Sequence, residues 1–405
     1  MIMIEDLTAR AQHHLPEALH WLRRMVEINS FTTNVPGIQA VGQLTAACFD
    51  TLGFTAEFVP ASHPAHGPHL LLRRQGLAAS APPIVLVTHL DTVFPPEEEV
   101  QNNFRWQEEG SRIYGPGSVD NKGGTALIWL LLRTMKDVLP DLFENTHWLI
   151  AANSAEEVIG SDFAQRTQER CPQGARAVLV FEGGPRDEAG YHIVTARKGR
   201  LEYRITCQGR AAHAGSNHAL GINAVVELAA LLPYVHALSS PTDGLTVNVA
   251  NIHGGTVLNR VPHEAIAELE MRAFDPQVLA RAATALEAMA GPTAAGAQIV
   301  VERLGSTTAW PGGGETDRLF EAWAQAGAAL NLPVLPMARG GLSDANYLCS
   351  LAPTLDAMGP SGGNAHCSER TPDGSKLPEY VEPDTFVPKA VMNILALASL
   401  ASPSV

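Results

Sequence analysis

Apolar residues recur at helical spacing from the start of the chain, through Leu7, Leu15, Leu19, Leu22 and Val26, and predict a helix that ends near Asn29-Ser30. A second helix is expected over 39–52, stopped by Gly53. Short apolar runs over 55–59, 69–73 and 84–88 read as strands. After a glycine-rich loop at 115–124 come an apolar helix over 125–138, a strand over 147–153, a helix over 162–170 and a strand over 177–181. This alternation indicates an α/β fold, a mostly parallel sheet flanked by helices. The texture changes near Lys198, where residues 201–207 alternate like a half-buried strand. Helices over 222–237 and 276–289, with strands over 245–252, 265–272 and 297–303, complete an α+β unit with one open sheet face. At roughly 110 residues it has a plausible domain size. Helical spacing returns over 316–330, and short strands rejoin the first sheet. The expected division is a core domain over 1–197 and 309–405, interrupted by an inserted smaller lid over 198–308.

Composition narrows the partners. The 28 Lys+Arg stand against 42 Asp+Glu, a net charge of −14, which disfavours nucleic acid and anionic membrane surfaces. An anionic substrate must then be held by a few local cations. The longest strongly apolar run, residues 126–132, is too short to span a bilayer. Met1-Ile2-Met3-Ile4 runs into Glu5 and Asp6 without a basic segment, so no secretory signal is expected. Cys48, Cys171, Cys207, Cys349 and Cys367 are scattered and odd in number, which fits a reducing cytoplasm better than a disulfide framework.

Candidate chemistry gathers where the first-domain strands end, the place at which open α/β sheets build their sites. The run at 84–88 leads into His89-Leu90-Asp91, which suits a metal-binding imidazole oriented by a carboxylate. Alone, such a triplet is common. The loop from Gly115 to Gly124 presents Asp120 on a constrained backbone, and its spacing fits neither a dinucleotide fingerprint nor a P-loop. A plain helix-capping turn is the simpler alternative. Glu156-Glu157 and Glu182 each follow an apolar strand, where an unpaired carboxylate is costly, although adjacent acids more often line a solvated face. His366 follows the flexible Gly362-Gly363. Together these residues meet the needs of a metal pair. Asp120, Glu157 and Glu182 with neutral His89 and His366 leave one positive charge around two Zn²⁺, which a bridging hydroxide cancels. Mixed imidazole and carboxylate ligation suits Zn²⁺, with Co²⁺ or Mn²⁺ as substitutes.

In order and spacing, His89-Leu90-Asp91-Thr92-Val93, Gly115-Pro116-Gly117 with Asp120 and Lys122-Gly123-Gly124, Glu156-Glu157, Glu182, Ala212-His213-Ala214-Gly215 and His366 resemble the aminoacylase/glutamate-carboxypeptidase family of dinuclear zinc hydrolases. The resemblance runs along essentially the whole chain and is nearest the bacterial glutamate carboxypeptidases. It implies that Asp120 bridges two Zn²⁺ per subunit, that His89 and Glu182 complete one site, and that Glu157 and His366 complete the other. Asp91 would orient His89, and Glu156 would be the general base. The peptide after Asp120 is cis in such enzymes, and Asn121 here takes a place often held by Asp. His213 would bind the substrate carbonyl or oxyanion, in dimeric relatives across a lid-mediated homodimer, while Asn259 and Arg272 would hold the substrate carboxylate. The glycine-rich segment containing Gly341 would offer backbone donors.

The implied activity is release of an amino acid, glutamate-like or other, from an N-acyl amino acid or C-terminal dipeptide by a dizinc-bridged hydroxide. A zinc aminopeptidase and a ureido or carbamoyl amidohydrolase remain alternatives within the enzymes. A non-catalytic amino-acid-binding module is the alternative outside them, and a retained Glu156 argues against it.

Overall fold

The computed structural model describes residues 3–78, 81–158 and 162–401; Met1 and Ile2 of the opening segment lie outside the described residues. The chain divides into two compact units, one of Met1–Thr195, Gly313–Met337 and Ser343–Val405, the other of Ala196–Gly312 and Ala338–Leu342. The division falls a few residues from the boundaries expected at 197/198 and 308/309, and the short segment holding Gly341 groups with the second unit.

The first unit is built on a six-stranded sheet in the order Thr55–Val59, His69–Arg74, Trp148–Asn153, Ile84–His89, Ala177–Val180, Thr354–Leu355. Pairing is parallel across its centre, with Ile84 opposite Trp148 and Ala177, and Thr354 opposite Val178. His69–Arg74 pairs antiparallel with both neighbours, so one edge departs from the parallel pattern. Ile84–His89 and Trp148–Asn153 are buried at every position, as strands covered on both faces must be. Helix Lys122–Val138 is buried from Lys122 through Leu132, which explains why its sequence is apolar on all sides rather than along one stripe. It packs against Ile4–Val26, Phe386–Ala401 and the central strand. No described helix is long and apolar enough to cross a membrane.

Local sequence sets the ends of these elements. The helix expected from residue 39 begins at Val35, because Asn34 Oδ1 accepts the Gly37 N–H and Pro36 occupies the first turn. The apolar helix starts at Lys122, three residues earlier than expected, and takes in Gly123 and Gly124. A Cβ on Gly124 would collide with the Phe181 carbonyl and the Asn121 side chain, so glycine here lets the helix start press against a strand end.

The second unit carries a five-stranded antiparallel sheet in the order Thr246–Gly254, Glu264–Ala273, Gly199–Gln208, Gln298–Thr307, Gly291–Pro292. Gly199–Gln208 and Glu264–Ala273 alternate strictly between buried and half-buried positions. Their inward residues, including Tyr203, Ile205, Ala267 and Met271, pack with Leu228 and Leu286 from helices Ala224–His236 and Pro276–Glu287. Period-two patterning thus yields a sheet covered by helices on one face.

One core residue runs against the apolar rule. Lys389 in Phe386–Ala401 is 1% exposed, and its Nζ donates to the Ala357 carbonyl at 3.1 Å. Burial pushes its ammonium down to about 7. The unfolded chain binds this proton up to the ordinary lysine value, so between about pH 7 and 10.5 the unfolded state holds more protons and stability rises with pH. Urea unfolding of wild type and Lys389→Met should show a stability difference that shifts toward wild type as pH rises through this window. A flat difference contradicts it.

Candidate metal centre

The carboxyl ends of the parallel strands carry the site. His89 is the last residue of Ile84–His89, Glu156 and Glu157 follow Trp148–Asn153, and Glu182 lies two residues beyond Ala177–Val180. Asp120 comes from the loop before Lys122–Val138, where Gly117 at φ +75° allows the tight turn and Ser118 N–H donates to the Gly115 carbonyl. The Asp120–Asn121 peptide is cis. His366 follows Gly362–Gly363 and is held at φ +65°, a left-handed conformation uncommon outside glycine.

These side chains converge into two groups that share one residue. His89, Asp120 and Glu182 form the first, and Asp120, Glu157 and His366 the second, with the offered donor atoms of each group within 4.8 Å of one another. Asp120 divides itself between them: Oδ1 lies 2.9 Å from His89 Nε2 and Oδ2 lies 3.4 Å from His366 Nε2. Glu157 Oε2 is 3.1 Å from the same His366 nitrogen, and Glu182 Oε1 is 3.7 Å from His89 Nε2. One carboxylate thus offers an oxygen to each of two His/carboxylate sets, and the N/O donor chemistry fits a divalent metal such as Zn²⁺.

Asp91 organises the backbone around this pair. His89 Nδ1 lies 3.0 Å from the Asp91 carbonyl and 3.3 Å from Asp91 Oδ1, so Nδ1 carries the proton and Nε2 is turned toward the donor sets. The same carboxylate accepts from the Thr32 hydroxyl at 2.8 Å and from the Glu156 and Glu157 N–H groups at 3.1 and 3.2 Å. Hydrogen bonds to an ionised group contribute about 1.5–3 kcal/mol each, so this buried carboxylate fixes where both glutamates start. Asn121 occupies the helix N-cap position without capping. Its amide instead donates to Glu182 Oε1 at 3.0 Å, and its carbonyl oxygen accepts from Thr88 at 3.2 Å. An aspartate there could not donate to Glu182 in this way.

Without cations, these groups hold one another in perturbed states. Burial opposes the ionised form of Asp120, but the hydrogen-bonded His366 and His89 hold its carboxyl well below the usual range. Hydrogen bonds to Asp120 and Glu157 raise His366 to about 10. Burial, only partly offset by His89, pushes Glu156 well above its ordinary value, with Glu182, Asp344 and Glu157 adding to the rise. Burial also raises Glu157.

The other expected residues lie in the second unit. His213 is exposed, and its Nδ1 accepts from Gly215 and Ser216 N–H at 3.1 and 3.2 Å, which leaves the ring proton of a neutral imidazole on Nε2. Asn259 lies alongside, its carbonyl accepting the Ala214 N–H at 2.9 Å. Arg272 is already engaged, in a fork to Glu270 with both bonds at 2.9 Å and a bond to the Gly340 carbonyl at 3.1 Å. The Gly341 carbonyl accepts from Arg197 at 2.9 Å. Sequence reasoning missed two buried acids of the first unit. Asp344 accepts from Asn153 at 2.8 Å and acts electrostatically on Glu156, while Glu379 accepts from the Asp120 backbone. An acid next to the glycine-rich segment was a faint signal for the former; nothing in local pattern marks the latter.

Metal binding requires neutral imidazoles, and His366 is protonated at neutral pH in the metal-free site. Adding Zn²⁺ to metal-free chain in weak buffer at pH 7.5 should therefore release at least one proton per chain, read with an indicator dye. His366→Ala should reduce that release. Uptake of zinc with no proton released contradicts this electrostatic picture.

Residues 195–297 match the peptidase dimerisation domain of the M20 type. Carboxypeptidase G2 of Pseudomonas sp. (strain RS-16) is 26% identical over 358 residues, 87% of this chain and 83% of that protein. The aminopeptidase PepT of Bacillus cereus shares the fold with a TM-score of 0.77 at 18% identity, over 96% of this chain and 99% of its own. An M20 family metallo-carboxypeptidase of Sulfolobus solfataricus, Sso-CP2, does so with a TM-score of 0.70 at 17% identity, over 94% and 98%. Residues 195–297 thus resemble an M20-type peptidase dimerisation domain, the chain is similar to carboxypeptidase G2 over most of its length, and its fold is that of M20 peptidases.

Proposed function

We propose that the chain is a metal-dependent amide hydrolase that releases an amino acid, glutamate-like or other, from an N-acyl amino acid or a C-terminal dipeptide. The observation that carries this reading is Glu156, a half-buried carboxylate outside both donor groups, whose proton affinity desolvation and the neighbouring Glu182, Asp344 and Glu157 raise. A binding module needs no such base. Carboxypeptidase G2, which the chain matches over most of its length, bears a carboxypeptidase's name and supports the C-terminal reading.

In this reading His89, Asp120 and Glu182 would hold one Zn²⁺, and Asp120, Glu157 and His366 would hold the other. The bound pair supplies Lewis acidity that polarises the substrate carbonyl and lowers the pKa of water. Glu156 takes a proton from the attacking water as its oxygen bonds the carbonyl carbon, and returns that proton to the amine as the C–N bond breaks. Asp91 keeps Glu156 in place through its backbone N–H and keeps the His89 ring oriented. Proposed roles for the second unit are donation from His213 Nε2 to the developing oxyanion and recognition of the substrate carboxylate by Asn259, Arg272 and backbone groups near Gly341. Arg272 would have to share or exchange its Glu270 partner to do so.

A homodimer through the second unit is part of the proposal. Strand Thr246–Gly254 forms one edge of that sheet, and Ile252 on it is exposed, as are Val226 and Tyr234 on the adjacent helix Ala224–His236. An apolar sheet edge of this kind is normally covered. All five cysteines are free, which fits the reducing cytoplasm proposed as its location.

Amine release should be measured over a panel of N-acyl amino acids, dipeptides with C-terminal glutamate, and dipeptides differing only in whether the N-terminus is blocked. The expected result is chelator-sensitive release that tolerates a blocked N-terminus. Release only from free N-termini would replace this reading with an aminopeptidase. Glu156→Gln should lower kcat by about 10²–10⁴-fold while both metals stay bound. Near-wild-type turnover in that variant removes Glu156 from the mechanism.

A further inference from the structure

Glu379 is fully buried yet belongs to neither donor group. It heads the short strand Tyr380–Val381, which lies between two segments that deliver ligands. On one side Tyr380 pairs with Tyr114 and Val381 with Ile113, just before the Asp120 loop. On the other, Gly363 pairs with Tyr380 and Gly362 with Val381, just before His366. The Glu379 N–H donates to the Cys367 carbonyl at 2.7 Å, and its own carbonyl accepts the Gly115 N–H at 3.3 Å. Its side chain then reaches the loop itself. Oε1 accepts from the Val119 N–H at 2.8 Å and the Asp120 N–H at 3.0 Å.

Burial, with repulsion from Asp120 added, pushes the Glu379 carboxyl up to about 8, so its ionised form is disfavoured there. The geometry shows what it provides. Two consecutive N–H groups at the head of the loop are gathered on one oxygen, and neither can turn without losing that bond. The direction of the Asp120 side chain follows from its backbone, and Asp120 must aim Oδ1 at one group and Oδ2 at the other. A rotation that improved one contact would spoil the second.

We propose that Glu379 is a positioning residue for the shared ligand: by clamping the Val119 and Asp120 backbone it holds both Asp120 oxygens on their separate donor sets. The inference rests on the two-metal reading of the site. It predicts a signature that an ordinary ligand lacks, because disturbing Asp120 weakens both metals together, whereas disturbing His366 weakens one.

The test is Zn²⁺ affinity of the full chain by chelator competition, with the visible spectrum of Co²⁺-loaded protein as a report on coordination. Glu379→Asp keeps the carboxyl group but withdraws the acceptor by one methylene, and should weaken both sites by about ten- to a hundredfold. Glu379→Gln keeps an accepting oxygen and replaces Oε2, which has no hydrogen-bond partner among the described residues, so it should restore both affinities and the Co²⁺ spectrum. His366→Ala is the control expected to weaken one site. Wild-type affinity at both sites in folded Glu379→Asp, or weakening of only one, overturns the proposal. A wild-type chain that binds fewer than two metals instead overturns the two-metal reading. Should Glu379→Asp fail to fold, hydrogen exchange of the metal-free wild type decides: the Val119 and Asp120 amides should be protected, and free exchange there overturns the clamp.

Discussion

The divided carboxylate of Asp120 is the constraint on which the rest of this molecule depends. Its two oxygens face two imidazoles that arrive from opposite parts of the chain, His89 at a central strand end and His366, 277 residues later. Neither imidazole could be placed by local structure alone. The parallel sheet fixes the first through the register of Ile84–His89 between its neighbours, and the strand pairs around Tyr380–Val381 carry the second back to the same point. The loop that presents Asp120 is therefore the joint between a rigid sheet and a late return segment.

Around that joint the fold concentrates negative charge in a region with little water. Asp91, Asp120, Glu156, Glu157, Glu182, Asp344 and Glu379 all come from the first unit, and burial raises the affinity of several for protons. Burying such groups unpaired is unfavourable, and two imidazoles neutralise only part of the charge. An arrangement of this kind makes physical sense as a cation site. The acids also divide by task. Some point at the donor groups, while Asp91 and Glu379 spend their oxygens on backbone N–H groups and act by fixing where other side chains begin.

Much of this was legible in the sequence because the ligands sit at predictable punctuation. His89, Glu156, Glu157 and Glu182 follow apolar runs whose alternation with helices announces a parallel sheet, and such sheets place chemistry at their carboxyl ends. The inserted unit was equally plain, since strict period-two alternation at 201–207 and 265–272 has no counterpart in the buried strands of the first unit. Less visible were features set by tertiary contact. Strand His69–Arg74, second from the edge and antiparallel to both neighbours, is as apolar as the parallel strands at the sheet's centre, so its direction left no mark in composition. The early start of Lys122–Val138 depended on glycines tolerated because a strand end presses on them. Asp344 and Glu379 act through partners far away in sequence, and an acid in a polar stretch carries no sign of whether it will be buried. The fork between Arg272 and Glu270, two residues apart on one strand, likewise left no mark in the strand's pattern.

The central claim, that Asp120 bridges two metals, is tested most directly by counting them. Elemental analysis of the wild-type chain after zinc saturation and desalting should give two zinc ions per chain, and Asp120→Asn, nearly isosteric but uncharged, should retain less than one. Retention of two ions by the Asp120→Asn chain, or a wild-type chain that never holds more than one, would contradict the account.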